Sequence, residues 1–423
     1  MEKIIINGGV PLNGEIEVSG MKNSAVAVIF ACLLTEEKVT LTNVPDIIDV
    51  DVSLDILRHM GCEVSRPAAH TVEIDAAGLR GGAAPHELTV KMRASYYLLG
   101  AELGRFGHAK VGMPGGCNFG VRPIDQHIKA FESLGATVTE CDTTVEATAM
   151  RGLKGGSIFF DVVTVGGTMN AMIAACCATG DTVIENAARE PHIVDLANFL
   201  NTCGANIRGA GTDTIKIRGA AKLHGCSYAI IPDMIEAGTY MIAAAATGGK
   251  LRITNVIPKH LESITAKLEE MGVDVTEEDE AVVVSACERL NNINLKTLPY
   301  PGYPTDMQPQ ICVLMCLASG ESRLVEGVWD NRYRYVEELK RMGADITVNG
   351  RIATVTGGKP LHPARVRAVD LRAGAAMVIA ALAVKGKTEI EDIRYIERGY
   401  DNIVGKLRGV GGRIQKIVEE DIF

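Results

Sequence analysis

A cysteine beside glycines is the first residue of this chain whose surroundings suggest chemistry. Residues 111–123 read VGMPGGCNFGVRP, so Cys117 follows a Pro-Gly-Gly turn and lies five residues before Arg122. Glycine permits backbone conformations closed to other residues, and a thiol on such a loop is displayed rather than packed. A nearby cation favours the reactive thiolate. Cys117 is therefore a candidate nucleophile or general acid, and the alternative is a tolerated loop cysteine.

A carboxylate at the start of an apolar helix is the second candidate. Asp306 lies in PYPGYPTDMQPQ, where prolines and a glycine stiffen the approach to the helix. A side chain in this position can cap the helix by accepting hydrogen bonds from its first N–H groups. It can equally serve as a base that accepts a proton from a substrate. The sequence leaves both roles open.

The composition is that of an ordinary globular protein. The chain has 423 residues, 47% of them hydrophobic, which predicts two or three domains. Its net charge of −9 argues against nucleic-acid or polybasic membrane binding, although a local basic pocket remains possible. The N-terminus, MEKIIINGGV, has no signal-peptide pattern, and no apolar run reaches the roughly 20 residues that span a bilayer.

The remaining cysteines suggest neither a metal nor a disulfide framework. The chain has 11, an odd number, and no two are spaced as CxxC, so we expect no zinc. Cys176 and Cys177, for example, lie in an apolar helix-like run, as small core residues do. We therefore predict reduced thiols in a cytoplasmic protein.

An internal repeat organises the elements that must position these side chains. A helical ending, a glycine and an apolar strand start recur six times, with the glycines at 61, 135, 204, 272, 343 and 411. The left-handed conformation that often ends a helix suits glycine, so an amphipathic helix should end at each one. Each unit also contains a helix that is apolar on all faces, such as AVAVIFACLL or GAAMVIAALA, which should be buried. Three units can share a core, which predicts two similar α/β domains.

Charged and polar residues recur at two positions of this repeat. Before the buried helices stand Lys22-Asn23, Arg93, Gly166-Gly167-Thr168, Thr305-Asp306 and Asp370-Leu371-Arg372; the loop before the second helix holds Arg122, Arg189, Glu190, Arg332 and Arg398. Helix N-termini favour anions, and arginine can bind phosphate or carboxylate through two hydrogen bonds. If these helix N-termini of the two halves face each other, they form a cationic cleft. Such a cleft would suit a substrate that carries a phosphate and a carboxylate.

Eight segments, in order along nearly the whole chain, resemble one family: VSGMKNSA, KMRAS, MPGGCNFGVRPIDQHI, ENAAREP, GYPTDMQPQ, WDNRYRY, VDLRAGAA and IERGYDNI. The chain is similar to the UDP-N-acetylglucosamine enolpyruvyl transferases (1-carboxyvinyltransferases). The resemblance implies two inverted α/β domains, each of three repeats around buried helices, with the active site in the interdomain cleft. It places residues 22–231 in one domain and residues 1–21 with 232–423 in the other.

The resemblance also implies a reaction, the first committed step of peptidoglycan synthesis. The sugar 3′-hydroxyl attacks C2 of phosphoenolpyruvate, C3 is protonated, and phosphate leaves. Cys117 corresponds to the family's proton donor, which can form an adduct with phosphoenolpyruvate and is the target of the epoxide fosfomycin. Asp306 matches the aspartate that takes the hydroxyl proton. No metal and no organic cofactor are implied.

The other expected site residues bind the substrates. Lys22, Arg122 and Arg398 would hold phosphoenolpyruvate and stabilise moving charge, with Lys22 and Arg398 counted as catalytic. Arg332 and the Asp370–Arg372 pair would orient the site. Sugar-nucleotide contacts are expected from Asn23, Arg93, Arg122, Pro123, Ile124, Asp125, Gln126, Val163, Thr164, Val165, Gly166, Asp306 and Val328.

Some positions depart from the family pattern. Ile48 and Val162 stand where some members have lysines near the uridine diphosphate, and Met21, Gly167 and Pro309 replace common small residues. These changes bear on sugar-nucleotide affinity more than on bond-making. Two rival functions remain open: 5-enolpyruvylshikimate-3-phosphate synthase, which lacks the PGGC loop, and a non-catalytic regulatory paralogue that binds a sugar nucleotide. We expect a monomer or weak homo-oligomer, with no nucleic-acid or membrane partner.

Overall fold

The structure, a computed structural model, describes residues 2–81, 84–113, 124–219 and 222–418. The helices in these ranges are α1 (Lys22–Ala31), α2 (Ile48–His59), α3 (His86–Thr89), α4 (Tyr97–Phe106), α5 (Asp125–Ser133), α6 (Val165–Ala175), α7 (Pro191–Thr202), α8 (Met234–Thr247), α9 (Glu262–Glu270), α10 (Gln308–Leu317), α11 (Val336–Arg341), α12 (Leu371–Ala383), α13 (Arg394–Glu397) and α14 (Ile403–Gly409). Short 3₁₀ turns cover Cys32–Leu34, Arg93–Tyr96, Pro258–Leu261 and Thr305–Met307.

The described residues form two compact units. We call residues 20–231 the inserted unit, because residues 2–19 and 232–418 together form the other, which we call the outer unit. The strands of the inserted unit are β3 (Val39–Thr42), β4 (Glu63–Ala68), β5 (Thr71–Asp75), β6 (His108–Gly112), β7 (Thr137–Glu140), β8 (Thr144–Thr148), β9 (Ser157–Phe159), β10 (Asp181–Glu185), β11 (Asn206–Arg208), β12 (Thr214–Arg218) and β13 (Ser227–Ala229). Those of the outer unit are β1 (Glu2–Gly8), β2 (Asn13–Glu17), β14 (Lys250–Thr254), β15 (Asp274–Glu277), β16 (Ala281–Ser285), β17 (Asn294–Lys296), β18 (Glu321–Val325), β19 (Asp345–Asn349), β20 (Ile352–Thr356), β21 (Arg365–Arg367), β22 (Gly386–Glu391) and β23 (Ile414–Val418).

Each unit contains three small sheets. In the inserted unit the strand orders are β13-β3-β5-β4, β6-β8-β7 and β11-β12-β10-β9; in the outer unit they are β15-β16-β14-β2, β17-β18-β20-β19 and β21-β22-β1-β23. Most neighbours are antiparallel, but β9 pairs with β10 in parallel, with Ser157 opposite Val183. Parallel neighbours need a crossover connection, and buried helix α6 supplies this one. Helices α10 and α12 connect the parallel pairs β17–β18 and β21–β22 in the same way.

The chain enters and leaves the inserted unit through two strands whose partners lie far away in sequence. β2 comes just before α1 yet pairs in parallel with β14, while β13 comes just before α8 yet pairs with β3. The unit boundaries fall between Ser19 and Gly20 and between Ile231 and Pro232. On the outer side the Asp233 N–H donates to the Ser19 carbonyl at 2.9 Å. These pairings bring the first strands of the chain into one unit with its C-terminal half.

The buried helices and the repeat glycines agree with the sequence predictions. Every residue of α12 from Leu371 to Leu382 is buried, and α1, α6, α8 and α10 are buried over nearly their whole lengths. The backbone φ angles of the repeat glycines are +97° at Gly61, +85° at Gly135, +97° at Gly204, +91° at Gly272, +93° at Gly343 and +95° at Gly411. The left-handed helix ending is therefore confirmed in all six repeats. None of the helices in the described ranges is long and apolar enough to cross a membrane.

Candidate functional site

A carboxylate held by two buried arginines forms the polar centre of the outer unit. Asp306 lies in the 3₁₀ turn Thr305–Met307, directly before α10. Its Oδ1 accepts a hydrogen bond from Arg332 Nη2 at 3.0 Å, and its Oδ2 accepts one from Arg372 Nε at 3.1 Å. Arg372 Nη2 lies 3.1 Å from the same Oδ2 as the ion-pair contact. The guanidinium-bearing side chains are 2% and 4% exposed, whereas that of Asp306 is 30% exposed. Two neighbouring cations favour the ionised carboxylate, which is partly exposed.

Both the backbone N–H and the guanidinium of Arg372 have close partners. Asp370 caps α12 by accepting hydrogen bonds from the N–H groups of Arg372 and Ala373, both at 2.9 Å. The guanidinium carbon lies 5.4 Å from the centre of the Tyr400 ring. Burial lowers the pKa of Arg372, but Asp306, Tyr400 and Asp233 together outweigh burial, so the net pKa is raised. Arg372 is thus a permanent cation in a fixed place.

Glu326 organises the same region and was not singled out by the sequence analysis. It is only 1% exposed, and Oε1 accepts hydrogen bonds from the Thr297 hydroxyl at 2.8 Å and the Val328 N–H at 2.8 Å. The Thr305 hydroxyl lies 3.1 and 3.0 Å from its two oxygens, and the Trp329 N–H donates at 3.1 Å. The carboxylate therefore connects the turn that carries Asp306 to the loop that carries Val328. Arg398, just after α13, is half-buried.

In the inserted unit, the N-terminal residue of α1 forms an ion pair with α2. Lys22 Nζ lies 2.9 Å from Asp49 Oδ2, and the two side chains are 15% and 5% exposed. Asp49 is in the first turn of α2, where a carboxylate is favoured by the helix dipole. The sequence analysis did not name Asp49. Asn23 is half-buried beside Lys22.

The N-termini of α5 and α6 meet in the inserted unit. Gln126 is buried, and its Oε1 accepts the Asp161 N–H at 2.9 Å. The Thr164 side chain caps α6 by accepting the Gly167 N–H at 3.2 Å. Burial lowers the pKa of the nearby Arg93 guanidinium. This arrangement brings together most of the expected sugar-nucleotide contacts, namely Ile124, Asp125 and Gln126 with Val163, Thr164, Val165 and Gly166.

Three expected site residues, Cys117, Arg122 and Pro123, lie outside the described residues.

The positions that depart from the family pattern fall into two groups. Ile48 and Val162 are 37% and 60% exposed, so both apolar side chains that stand for lysines face the surface. Met21, Gly167 and Pro309 are buried, so they belong to the packing around the helix starts.

Residues 6–407 match the family described as EPSP synthase (3-phosphoshikimate 1-carboxyvinyltransferase), and the chain belongs to this enolpyruvyl transferase family. Among relatives, it is 54% identical over 417 residues to UDP-N-acetylglucosamine 1-carboxyvinyltransferase 2 of Clostridium acetobutylicum, which covers 98% of this chain and 99% of the relative. It is 53% identical to UDP-N-acetylglucosamine 1-carboxyvinyltransferase 3 of Caldanaerobacter subterraneus subsp. tengcongensis, over 99% of this chain and 100% of the relative.

Solved structures agree on the fold. The enolpyruvyl transferase NikO from Streptomyces tendae superimposes with a TM-score of 0.88 at 28% identity, covering 98% of both chains. EPSP synthase from Acinetobacter baumannii superimposes with a TM-score of 0.77 at 19% identity, covering 99% of this chain and 100% of the other. At that identity the second likeness concerns the fold alone. The predicted fold class and the predicted family are confirmed.

Proposed function

We propose that this protein transfers the enolpyruvyl group of phosphoenolpyruvate to the 3′-hydroxyl of UDP-N-acetylglucosamine and releases phosphate. The observation that carries the proposal is the carboxylate of Asp306, fixed by two buried arginines in a chain about half identical to enzymes of that name. EPSP synthase shares the fold at 19% identity, which favours the sugar nucleotide over shikimate 3-phosphate as acceptor. The retained Cys117, Asp306 and Arg398 favour an enzyme over a non-catalytic paralogue.

Different residues serve the addition and the elimination steps of the reaction. Asp306 accepts the proton of the sugar 3′-hydroxyl while the hydroxyl oxygen bonds to C2 of phosphoenolpyruvate. The Cys117 thiol delivers a proton to C3. Elimination then restores the C2–C3 double bond as the Cys117 thiolate takes a proton back from C3 and the C2–O bond to phosphate breaks. Lys22, Arg122 and Arg398 hold the phosphate and carboxylate of phosphoenolpyruvate, where positive charge stabilises the leaving group. Arg332 and Arg372 keep Asp306 in place.

The sugar nucleotide is held by Asn23, Arg93, the 122–126 segment, the 163–166 segment and Val328. The reaction takes place in the cytoplasm, and it requires neither a metal nor an organic cofactor. The protein acts as a monomer or weak homo-oligomer, without a nucleic-acid or membrane partner. The neutral threonine hydroxyls and amides around Glu326 support the part of this site that carries Val328.

The deciding experiment is a phosphate-release assay with UDP-N-acetylglucosamine and phosphoenolpyruvate. We expect release that depends on both substrates and that fosfomycin abolishes. A parallel reaction with shikimate 3-phosphate as acceptor should release none. If phosphate appeared only with shikimate 3-phosphate, the EPSP synthase alternative would be correct. If neither acceptor gave release at any concentration, the protein would not be an enolpyruvyl transferase in function.

A further inference from the structure

Two cysteine side chains of the inserted unit face each other across neighbouring segments of the chain. Cys203 is the residue at which α7 ends, and Cys226 lies directly before β13. Their Sγ atoms are 3.4 Å apart, and both are free thiols. The His224 N–H donates to the Cys203 carbonyl at 2.9 Å, and the Thr40 N–H donates to the Cys226 carbonyl at 2.9 Å. These backbone hydrogen bonds hold the segment before β13 between the end of α7 and β3.

The two sulfurs can form a disulfide with a small movement. A disulfide bond is about 2.05 Å long, so atoms now 3.4 Å apart must approach by about 1.4 Å. Small changes in the side-chain torsions of two cysteines supply a shift of this size, and the backbone hydrogen bonds on either side can stay in place. The resulting bond would connect the end of α7 to the start of β13.

The two thiols differ in exposure and in the protonation state that their surroundings favour. Cys203 is only 2% exposed, whereas Cys226 is half-buried, so a small polar molecule reaches Cys226 first. The hydrogen bond that the Cys203 thiol donates, together with the nearby His224, lowers the pKa of Cys226 despite its partial burial. The same hydrogen bond and burial raise the pKa of Cys203. Cys226 is therefore the more reactive thiol, since the thiolate is the nucleophile.

We propose that Cys203 and Cys226 are a redox-sensitive pair that hydrogen peroxide converts into a reversible disulfide. Cys226 is the thiol that reacts with the peroxide, and Cys203 is the resolving thiol that completes the disulfide. Neither residue is among those assigned to catalysis or substrate binding, so the inference does not rest on the proposed function.

The reaction needs only the two thiols and the peroxide. The Cys226 thiolate attacks one oxygen of hydrogen peroxide, the O–O bond breaks, and hydroxide leaves, which produces a sulfenic acid at Cys226. The hydroxide takes the proton of the Cys203 thiol and becomes water. The Cys203 thiolate then attacks the Cys226 sulfur, the S–O bond breaks, and the second hydroxide combines with the proton that Cys226 released on ionisation. Two thiols are thus oxidised to one disulfide, and the peroxide is reduced to two molecules of water.

The resolving thiol protects Cys226 from irreversible oxidation. A sulfenic acid that meets a second peroxide becomes a sulfinic acid, which thiol reductants do not reverse, whereas a disulfide is reduced by thiol exchange. Cys32 also lies in this region but is less suited to the resolving role. It is 1% exposed, its thiol donates to the Val28 carbonyl at 3.2 Å, and burial raises its pKa. Cys203 is therefore the expected partner.

The first test treats the fully reduced, full-length protein with hydrogen peroxide. Remaining thiols are blocked with N-ethylmaleimide, and a tryptic digest made without reductant is analysed by mass spectrometry. Trypsin can cut between the two cysteines, for example after Arg208 and Lys222. We expect two peptides joined through Cys203 and Cys226, lighter by two hydrogens than their sum, which dithiothreitol separates. A disulfide from Cys226 to any other cysteine, or none at Cys226, would overturn the pairing.

The second test separates the roles of the two thiols with matched serine variants. In Cys203→Ser, we expect dimedone to trap a sulfenic acid at Cys226, and longer exposure to give a sulfinic acid that dithiothreitol does not reverse. In Cys226→Ser, the buried Cys203 should stay reduced. Equal amounts of sulfinic acid at Cys226 in Cys203→Ser and in the unmodified protein would refute the protective role. The first test uses the unmodified chain, so a variant that fails to fold leaves its result intact.

A second pair of neighbouring cysteines provides an internal control in the same digest. Cys312 and Cys316 of α10 also share a hydrogen bond, but they are 0% and 3% exposed. Because neither thiol reaches the solvent, we expect both to remain reduced while the disulfide between Cys203 and Cys226 forms. Equally fast oxidation of the two pairs would show that the exposure of Cys226 does not govern the reaction, and would overturn its role as the thiol that reacts first.

Discussion

Arg372 donates a hydrogen bond from Nε to Oδ2 of Asp306 at 3.1 Å and holds its Nη2 3.1 Å from the same oxygen, while Arg332 Nη2 donates to Oδ1 at 3.0 Å. The arginines come from α12 and from the loop after β18, so three repeat elements meet at one carboxylate. An ion pair this buried is costly to break, because either partner alone would be a buried uncompensated charge. The pairing thus holds the Asp306 side chain in one place, where it is 30% exposed.

Replacing Asp306 by asparagine should separate chemistry from binding. The amide keeps the shape of the carboxylate but cannot accept the hydroxyl proton, so we expect kcat to fall by about 10²- to 10⁴-fold. The Kd for UDP-N-acetylglucosamine, measured by calorimetry, should change by less than tenfold. Asp306→Glu is the matched control, since it keeps the charge and moves it by one methylene. A variant Asp306→Asn with normal turnover would remove the base from the mechanism.

Glu326 should prove essential to this region through its buried acceptor oxygens. In Glu326→Leu, two threonine hydroxyls and two N–H groups lose their acceptor, at about 1–3 kcal/mol for each group left buried and unpaired. We expect a clear fall in the melting temperature and a raised KM for UDP-N-acetylglucosamine. Glu326→Gln retains one acceptor oxygen, so it should recover most of both losses. If glutamine and leucine behaved alike in thermal unfolding and kinetics, the hydrogen bonds of Glu326 would not be what matters.

The sequence predicted the repeat and its buried helices because those signals are local. A helix apolar on every face must be buried, and a glycine after an amphipathic helix marks its end whatever lies around it. Glu326, Asp49 and Asn170 were missed because their side-chain partners, such as Thr297, Lys22 and His127, lie more than 20 residues away along the chain, which no local pattern reveals. A faint signal existed for Asn170, since it is an amide in an otherwise apolar helix opposite the interior glycine Gly100. The roles of Lys22, Arg398 and Cys117 remain predictions.

The acid stability of the protein should depend on His127. Its pKa is about 3 in the folded state against an ordinary 6.5, so between these values the unfolded chain binds a proton that the folded protein does not. The contribution of this residue is therefore fully present above pH 6.5 and is lost as the pH falls towards 3. The slope approaches about 1.4 kcal/mol per pH unit for one proton.

Urea unfolding between pH 4 and 8 tests this, with His127→Gln as the comparison. The variant lacks a titrating ring, so its free energy of unfolding should fall less steeply with acid than that of the unmodified protein. The difference between the two curves removes the contributions of all other groups. Parallel curves below pH 6.5 would mean that His127 titrates equally in both states.

Two repeat glycines offer a matched test of helix-ending strain. At Gly135, φ is +85° and a Cβ would meet nothing within 4 Å, so alanine there should cost only backbone strain, about 1–2 kcal/mol. At Gly343, φ is +93° and a Cβ would lie 3.0 Å from His362, so alanine should cost more. Both should keep normal kcat. Chemical unfolding measures the free energy of unfolding of both variants. A larger loss of stability in Gly135→Ala than in Gly343→Ala would contradict the expected order.

The thiol of Cys117 should be replaceable by another acid but not by a hydroxyl. Aspartic acid can still deliver a proton to C3, so Cys117→Asp should retain measurable phosphate release while becoming insensitive to fosfomycin, since no thiolate is left to open the epoxide. Cys117→Ser should lose both labelling and most activity, because a serine hydroxyl is far too weak an acid to donate. Mass spectrometry after fosfomycin treatment provides the labelling measurement. A labelled serine variant would identify another reactive cysteine, and equal loss of turnover in both variants would show that the covalent adduct, rather than acidity, is what the reaction requires.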